Sequence, residues 1–157
     1  MTLLMPRLEH IADLTVFVDK PVEAGKVTGL NSRGLRRIIP ITGGTVSGKL
    51  NGDVLAGGAD FQMVVSDSAS HLDARYILQL DNGARVYVQN HAIRRGPAEQ
   101  IARLVRGEQV DPALIYFRCV PSFEVDHDEL LWLTDSVFVG TGARYPDRVE
   151  MAFFRVE

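Results

Sequence analysis

Asp60 and Gln62 stand two residues apart in Asp60-Phe61-Gln62-Met63-Val64, so an extended chain turns both to one face and Phe61 to the other. A carboxylate with an amide beside it is a proton acceptor with a built-in hydrogen-bond partner, which suits general-base chemistry. Tyr116 and Arg118 share a face within Ile115-Tyr116-Phe117-Arg118-Cys119, and Arg36 heads the run Arg36-Arg37-Ile38-Ile39-Pro40-Ile41. Charges set among strand-forming residues are costly inside a protein, so this group implies ion pairs or a wet cavity. A guanidinium forks onto a carboxylate or enolate oxygen with two hydrogen bonds, so the arginines point to an anionic organic ligand. Trp132, Phe123, Phe138 and Tyr145 gather in the final third and could wall an apolar pocket.

Other motifs fall away on inspection. Gly43-Gly44-Thr45-Val46-Ser47-Gly48-Lys49 has the Gly-x4-Gly-Lys core of a phosphate loop, but Leu50 replaces the hydroxyl that would hold magnesium. Leu50-Asn51-Gly52-Asp53 reads as a turn, which leaves no helix N-terminus to receive phosphate. Gly140-Thr141-Gly142-Ala143-Arg144 lacks the third glycine of a dinucleotide fingerprint. His10, His71, His91 and His127 form no ligand pair on one element, so no metal site is expected. No Gly-x-Ser-x-Gly elbow is present, and Cys119, set in an apolar run, is expected to be a buried, inert thiol.

The elements that would position these residues are short β-type runs broken by Gly, Asn and Asp: Ile11–Val18, Arg36–Thr42, Ala59–Ser66, Leu72–Leu80, Arg85–Ile93, Leu114–Val125, Leu133–Val139 and Val149–Val156. Their spacing predicts a mainly β fold, an antiparallel up-and-down-like barrel of about 8–10 strands. Pro97–Gly107, with Ile101, Leu104 and Val105 at helical spacing, is the one predicted α-helix; a further helical turn is expected at Asp126–Leu131. Asn82-Gly83 reads as a two-residue type I′ hairpin loop. That register pairs Leu78 with Tyr87, Tyr76 with Gln89, and Arg75 with Asn90 above a layer of Ile77, Val86 and Val88. The opposite face, with Tyr76, Leu78 and Tyr87, is also apolar and suggests a second partner, either the helix or another subunit.

Composition sets the outer limits. The 157 residues fit a single domain, residues 1–157, with 46% hydrophobic and 24% charged residues. A net charge of −3 argues against a nucleic-acid footprint. The amino terminus carries no convincing signal peptide, no stretch is apolar enough to span a bilayer, and a single cysteine fits a reducing compartment; a cytoplasmic location is expected.

Gly34-Leu35-Arg36, Pro40-Ile41-Thr42-Gly43-Gly44, Gly57-Gly58-Ala59-Asp60-Phe61-Gln62, Ala74-Arg75-Tyr76, Tyr87-Val88-Gln89-Asn90 and Arg94 resemble signatures of the domain-of-unknown-function family DUF3237 (UPF0311). Gly107-Glu108, Tyr116-Phe117-Arg118, Pro121, Phe123-Glu124, Trp132-Leu133 and Phe138-Val139-Gly140 continue the match in order to the C-terminus. The resemblance implies a closed or nearly closed antiparallel barrel of bacterial origin and no assigned reaction. Ala56, Phe61 and Cys119 depart from the family pattern, which tends to place Pro, Trp and Thr there. Phe61 thereby lacks the indole N–H donor.

Together these readings give a barrel that binds a small anionic or aromatic organic ligand and possesses the residues for cofactor-free isomerase, cyclase, decarboxylase or lyase chemistry. Asp60 is the expected general base, and Arg75 or Arg118 the oxyanion stabiliser. Arg36, Gln62, Tyr87, Asn90, Tyr116, Phe123 and Trp132 are the expected ligand contacts. A homodimer is expected from the two-faced hairpin, and a non-catalytic self-associating scaffold is the competing reading.

Overall fold

Strict alternation along Tyr116–Val125, where Phe117, Cys119, Pro121 and Phe123 are buried and the residues between them exposed, marks a strand with one dry and one wet face. The same alternation runs through Ala69–Leu80 and Arg85–Arg95. A computed structural model describes residues 1–157. It contains β1 (Leu8–Val18), β2 (Val22–Thr28), β3 (Arg33–Gly48), β4 (Gly52–Val54), β5 (Ala59–Val64), β6 (Ala69–Leu80), β7 (Arg85–Arg95), β8 (Tyr116–Val125), β9 (Phe138–Arg144) and β10 (Arg148–Val156). Every pairing is antiparallel, and the order β1-β10-β9-β8-β7-β6-β4-β3 returns to β1 through a β1–β3 ladder. The result is a closed eight-position antiparallel barrel in which β4 and β5 share one place between β3 and β6, while β2 is added along β3.

Closure depends on β3, which carries two sets of partners. Its first half pairs with β2 and β5, and its second with β1 and β4. At the changeover a side chain on Gly44 would put its Cβ 2.0 Å from the Thr15 carbonyl oxygen, at a φ of +145°. The segment that mimics a phosphate loop is therefore strand, and its glycines let two strands meet. No helix is long and apolar enough to cross a membrane.

The two ends of the barrel are closed differently. A 3-10 turn, Asp128–Leu133, seals one end with Leu130 and Leu133 in the main core; it takes part of what reads in sequence as the strand Leu133–Val139. Helix α1 (Ala98–Val105) lies at the other end, where Ile101, Leu104 and Val110 form a small apolar cluster of their own.

The β6–β7 turn departs from the expected type. The Leu80 amide donates to the Ala84 carbonyl at 2.8 Å, and the Gly83 amide donates to the Leu80 carbonyl at 2.9 Å. Gly83 has a φ of +87°, whereas no non-glycine residue has positive φ, so Asn82 is not in the type I′ conformation. The loop is three residues long, with one left-handed glycine, and this moves every pair by one place. Leu78 meets Val86, Ile77 meets Tyr87, Tyr76 meets Val88, and Arg75 meets Gln89. Tyr76, Leu78, Val86 and Val88 thus line the interior, while Ile77 and Tyr87 share the outer face with Arg75, Gln79, Arg85 and Gln89. The two apolar hairpin faces behind the homodimer expectation become one inner face and one mixed outer face.

Gly83 alone bears the left-handed conformation, so Gly83→Val is expected to cost on the order of 1–3 kcal/mol. Asn82→Val, at an ordinary φ, should lose only its side-chain bonds, roughly 1 kcal/mol. Denaturant unfolding of both variants checks this, and equal large losses would restore the type I′ turn.

Candidate functional site

The register just described carries a second set of polar residues inward. On β7 the inner positions after Val88 are Asn90, Ala92 and Arg94; on β6 they are Ser70, Leu72, Ala74 and Tyr76. Strand β3 contributes Arg37, β5 contributes Asp60 and Gln62, and β9 ends at Arg144. All lie toward the end of the barrel that helix α1 covers. Asp60, Gln62, Leu72, Ala74, Tyr76, Asn90 and Arg144 line a small cavity whose remaining wall is apolar and includes Val16, Ile39, Phe117 and Met151.

Asp60 is held by the sheet itself. The β5–β6 ladder is interrupted between the pairs Asp60–Ala74 and Met63–His71. In the gap the Asp73 amide donates to Asp60 Oδ1 at 3.1 Å, and Gln62 Nε2 donates to Oδ2 at 2.7 Å. Burial raises the Asp60 pKa above the usual carboxylate range, against the opposing pull of the Gln62 bond and the Arg94 charge. Arg94 is 2% exposed, and burial lowers its pKa to about 10 while the Asp60 charge pulls the other way. The Arg144 pKa is lowered too, by burial and by the charge of Arg37. Arg37 is the anchored member of the set: its Nε donates to Glu23 Oε1 at 3.1 Å and its Nη2 to the Val105 carbonyl at 3.1 Å.

Six buried polar atoms at this end have no hydrogen-bond partner: Gln62 Oε1, Ser70 Oγ, Tyr76 OH, Asn90 Oδ1 and Arg94 Nε and Nη1. An unmet buried group costs about 1–3 kcal/mol, so such a concentration at one end of the barrel is unusual for a structural core. Burial pushes the Tyr76 phenol up, which keeps it a hydrogen-bond donor, and pushes the Cys119 thiol up to about 11, as an inert cysteine requires.

Of the residues expected from sequence, the structure brings Asp60, Gln62 and Asn90 together at this cavity. It places Arg75 on the outer face, where Nη2 binds Asp73 Oδ2 at 2.8 Å and the guanidinium carbon lies 5.9 Å from the Phe61 ring centre. Arg118 is also outside, bonded to Thr141 Oγ1 at 3.0 Å and set over the Tyr116 ring. Neither is positioned for the oxyanion role, because each occupies the outward parity of its strand. Arg36, Tyr87 and Tyr116 share that outward parity. Phe123 and Trp132 pack at the opposite end, with Phe123 5.2 Å from Phe138 and Trp132 6.2 Å from it, as part of the core.

The residues that sequence reasoning missed are Arg37, Ser70, Tyr76, Arg94 and Arg144. Strand parity held the signal: Arg94 follows Asn90 by four residues, and Tyr76 precedes the apolar Leu78 and Leu80 by even steps.

Comparison with known proteins gives a consistent picture. A family model described as protein of unknown function (DUF3237) matches residues 6–156. A UPF0311 protein of Bradyrhizobium diazoefficiens is 46% identical over 141 residues, 90% of each chain. The crystal structure of a conserved protein of unknown function from Rhodopseudomonas palustris aligns with a TM-score of 0.90 at 40% identity, covering 99% of this chain and 100% of that one. The fold extends further, to a structure described as an enzyme from Penicillium herquei, with a TM-score of 0.68 at 16% identity over 100% of this chain and 98% of that one.

Asp60 supplies a pH test. A raised native pKa means the folded chain holds this proton more tightly than the unfolded chain does. Its contribution is complete below the unfolded value of about 3.9 and is lost as pH rises through the folded one. Asp60→Asn preserves shape, and a flipped Gln62 amide can still bond to it. The variant should therefore gain stability relative to the parent as pH climbs from about 4 toward neutrality. Denaturant unfolding across that range checks it, and a pH-independent difference would show that burial does not perturb the carboxyl.

Proposed function

The chain belongs to the DUF3237 family, and on that premise we propose that its barrel binds a small organic acid in the interior cavity and that Asp60 moves a proton on it. The observation that carries this reading is the trio of unpartnered polar atoms, Gln62 Oε1, Tyr76 OH and Asn90 Oδ1, on an otherwise apolar cavity wall that also holds Asp60. A ligand with an apolar body and a few oxygens would satisfy both parts of that wall.

The chemistry follows from the surroundings of the carboxylate. A general base works best with a pKa near the working pH, and burial moves Asp60 in that direction. Its two oxygens already accept from Gln62 and the Asp73 amide, which fixes their orientation. Asp60 takes a proton from an acidic carbon or hydroxyl of the ligand. The phenol of Tyr76 donates to the oxygen on which charge then develops. Return of the proton to a different atom gives isomerisation; loss of a leaving group gives a lyase reaction. That a protein of the same fold is described as an enzyme is compatible with chemistry in such a barrel. The scaffold reading leaves the buried donors and acceptors without a purpose.

Titration against a library of aromatic carboxylic acids tests the proposal. At least one acid should bind saturably. Ala74→Leu, which fills the cavity from β6, should abolish that binding while the fold persists by circular dichroism. Uniform silence across the library, or binding indifferent to Ala74→Leu, would overturn it.

A further inference from the structure

A second cavity lies at the same end of the barrel, between helix α1 and the loops at Asp19–Pro21 and Pro146–Asp147. It shares Val18, Ile39 and Arg144 with the interior cavity, so the two spaces adjoin across these side chains. Its wall is strongly basic: Lys20, Arg37, Arg94, Arg106 and Arg144 stand against Asp19 and Asp147.

The basic groups differ in how far their charge is met. Arg37 has Glu23 as its partner. Arg144 Nη1 donates only to backbone carbonyls, those of Tyr145 and Arg148. Arg94 is deeply buried, stacks loosely on the Phe117 ring at 5.9 Å, and leaves Nε and Nη1 without a partner. The nearby carboxylate, Asp60, is already bonded to Gln62 and to the Asp73 amide. Buried guanidinium charge without a counter-charge is expensive, and a bound anion is the direct remedy.

We infer that this rim seats the anionic group of the ligand, a carboxylate or phosphate held by Arg94 and Arg144 beside Arg37, while the apolar body extends inward to Asp60 and Tyr76. The inference rests on the interior-binding reading and deepens it in one respect. The anionic group is an anchor, and the reacting atom is a different one, deeper in the barrel. Substrates are therefore acids whose acidic C–H or O–H lies away from the carboxylate or phosphate. Decarboxylation, which would need the carboxylate itself at the reacting centre, is set aside.

The experiment compares 3-phenylpropanoate with its neutral amide by calorimetry, with inorganic phosphate as a competitor. The parent protein should bind the acid saturably and at least tenfold more tightly than the amide, and phosphate should displace the acid. Arg144→Gln should weaken the acid about tenfold or more and leave the amide unchanged, whereas Arg144→Lys should restore part of the loss. Arg144 is only partly buried, so these variants place less strain on folding than any change at Arg94. Equal affinity for acid and amide, or an unchanged acid affinity in Arg144→Gln, would overturn the rim assignment and leave interior binding intact. Binding of phosphate alone, lost in Arg144→Gln, would support the rim and overturn interior binding. Silence toward acid, amide and phosphate would overturn both.

Discussion

Everything in this molecule depends on the ladder between β1 and β3. Without it the eight strand positions form an open sheet with two free edges; with it there is an inside. The ladder requires a backbone approach that side chains forbid, since a Cβ at Gly44 or at Gly48 would lie 2.0 or 2.7 Å from a β1 carbonyl oxygen. Closure converts strand alternation into a strict sorting rule: one parity of each strand faces a shared, limited volume and the other faces water. A polar residue on the inner parity then has nowhere to go.

That rule is applied unequally along the barrel axis. At the end sealed by Asp128–Leu133, the inner residues are Phe123, Phe138, Phe153, Leu80 and Val86, with edge-to-face aromatic contacts and no unmet polar groups. At the other end the inner parity carries Arg37, Asp60, Gln62, Ser70, Asn90 and Arg94. The unpartnered atoms there cost about 1–3 kcal/mol each, a large sum beside a typical net stability of 5–15 kcal/mol. The aromatic end offsets that cost. Unmet polar groups at one end and close packing at the other is the division that the proposed binding site would require.

The barrel itself was legible because periodicity and turn residues survive in a single sequence: all eight of the expected runs overlap observed strands, and the helix lies where Pro97 and Gly107 place it. Strand parity was less legible. Asn82-Gly83 is equally good chemistry for a two-residue loop and for the end of a three-residue one, and the choice between them flips every side chain of the hairpin. Arg75 and Tyr76 exchanged sides for that reason alone. Arg36 and Arg37 pose the same problem in a run where Ile38 and Ile39 are equally apolar, although only Ile39 is buried. Phe123 and Trp132 are interior, as an apolar pocket wall would be, but which end of the barrel they occupy depends on pairings between strands distant in sequence. Asp60 and Gln62 were found because their parity is carried within three consecutive residues.

Arg75 nonetheless remains connected to the site from outside. It grips the Asp73 carboxylate, which also accepts from Gln89 Nε2 at 3.3 Å and stands 3.8 Å from His91 Nδ1. The backbone of the same Asp73 donates its amide to Asp60 through the gap in the β5–β6 ladder. One residue thus presents its side chain to an outer network and its peptide N–H to the inner carboxylate. An outer ion pair worth little in isolation, since surface pairs contribute about 0–1 kcal/mol, gains a second consequence here. It restricts the segment whose amide orients the proposed base, and an amide left without its ladder partner is free to be committed to that task. The interrupted ladder is the structural reason that Asp60 can be both turned inward and held.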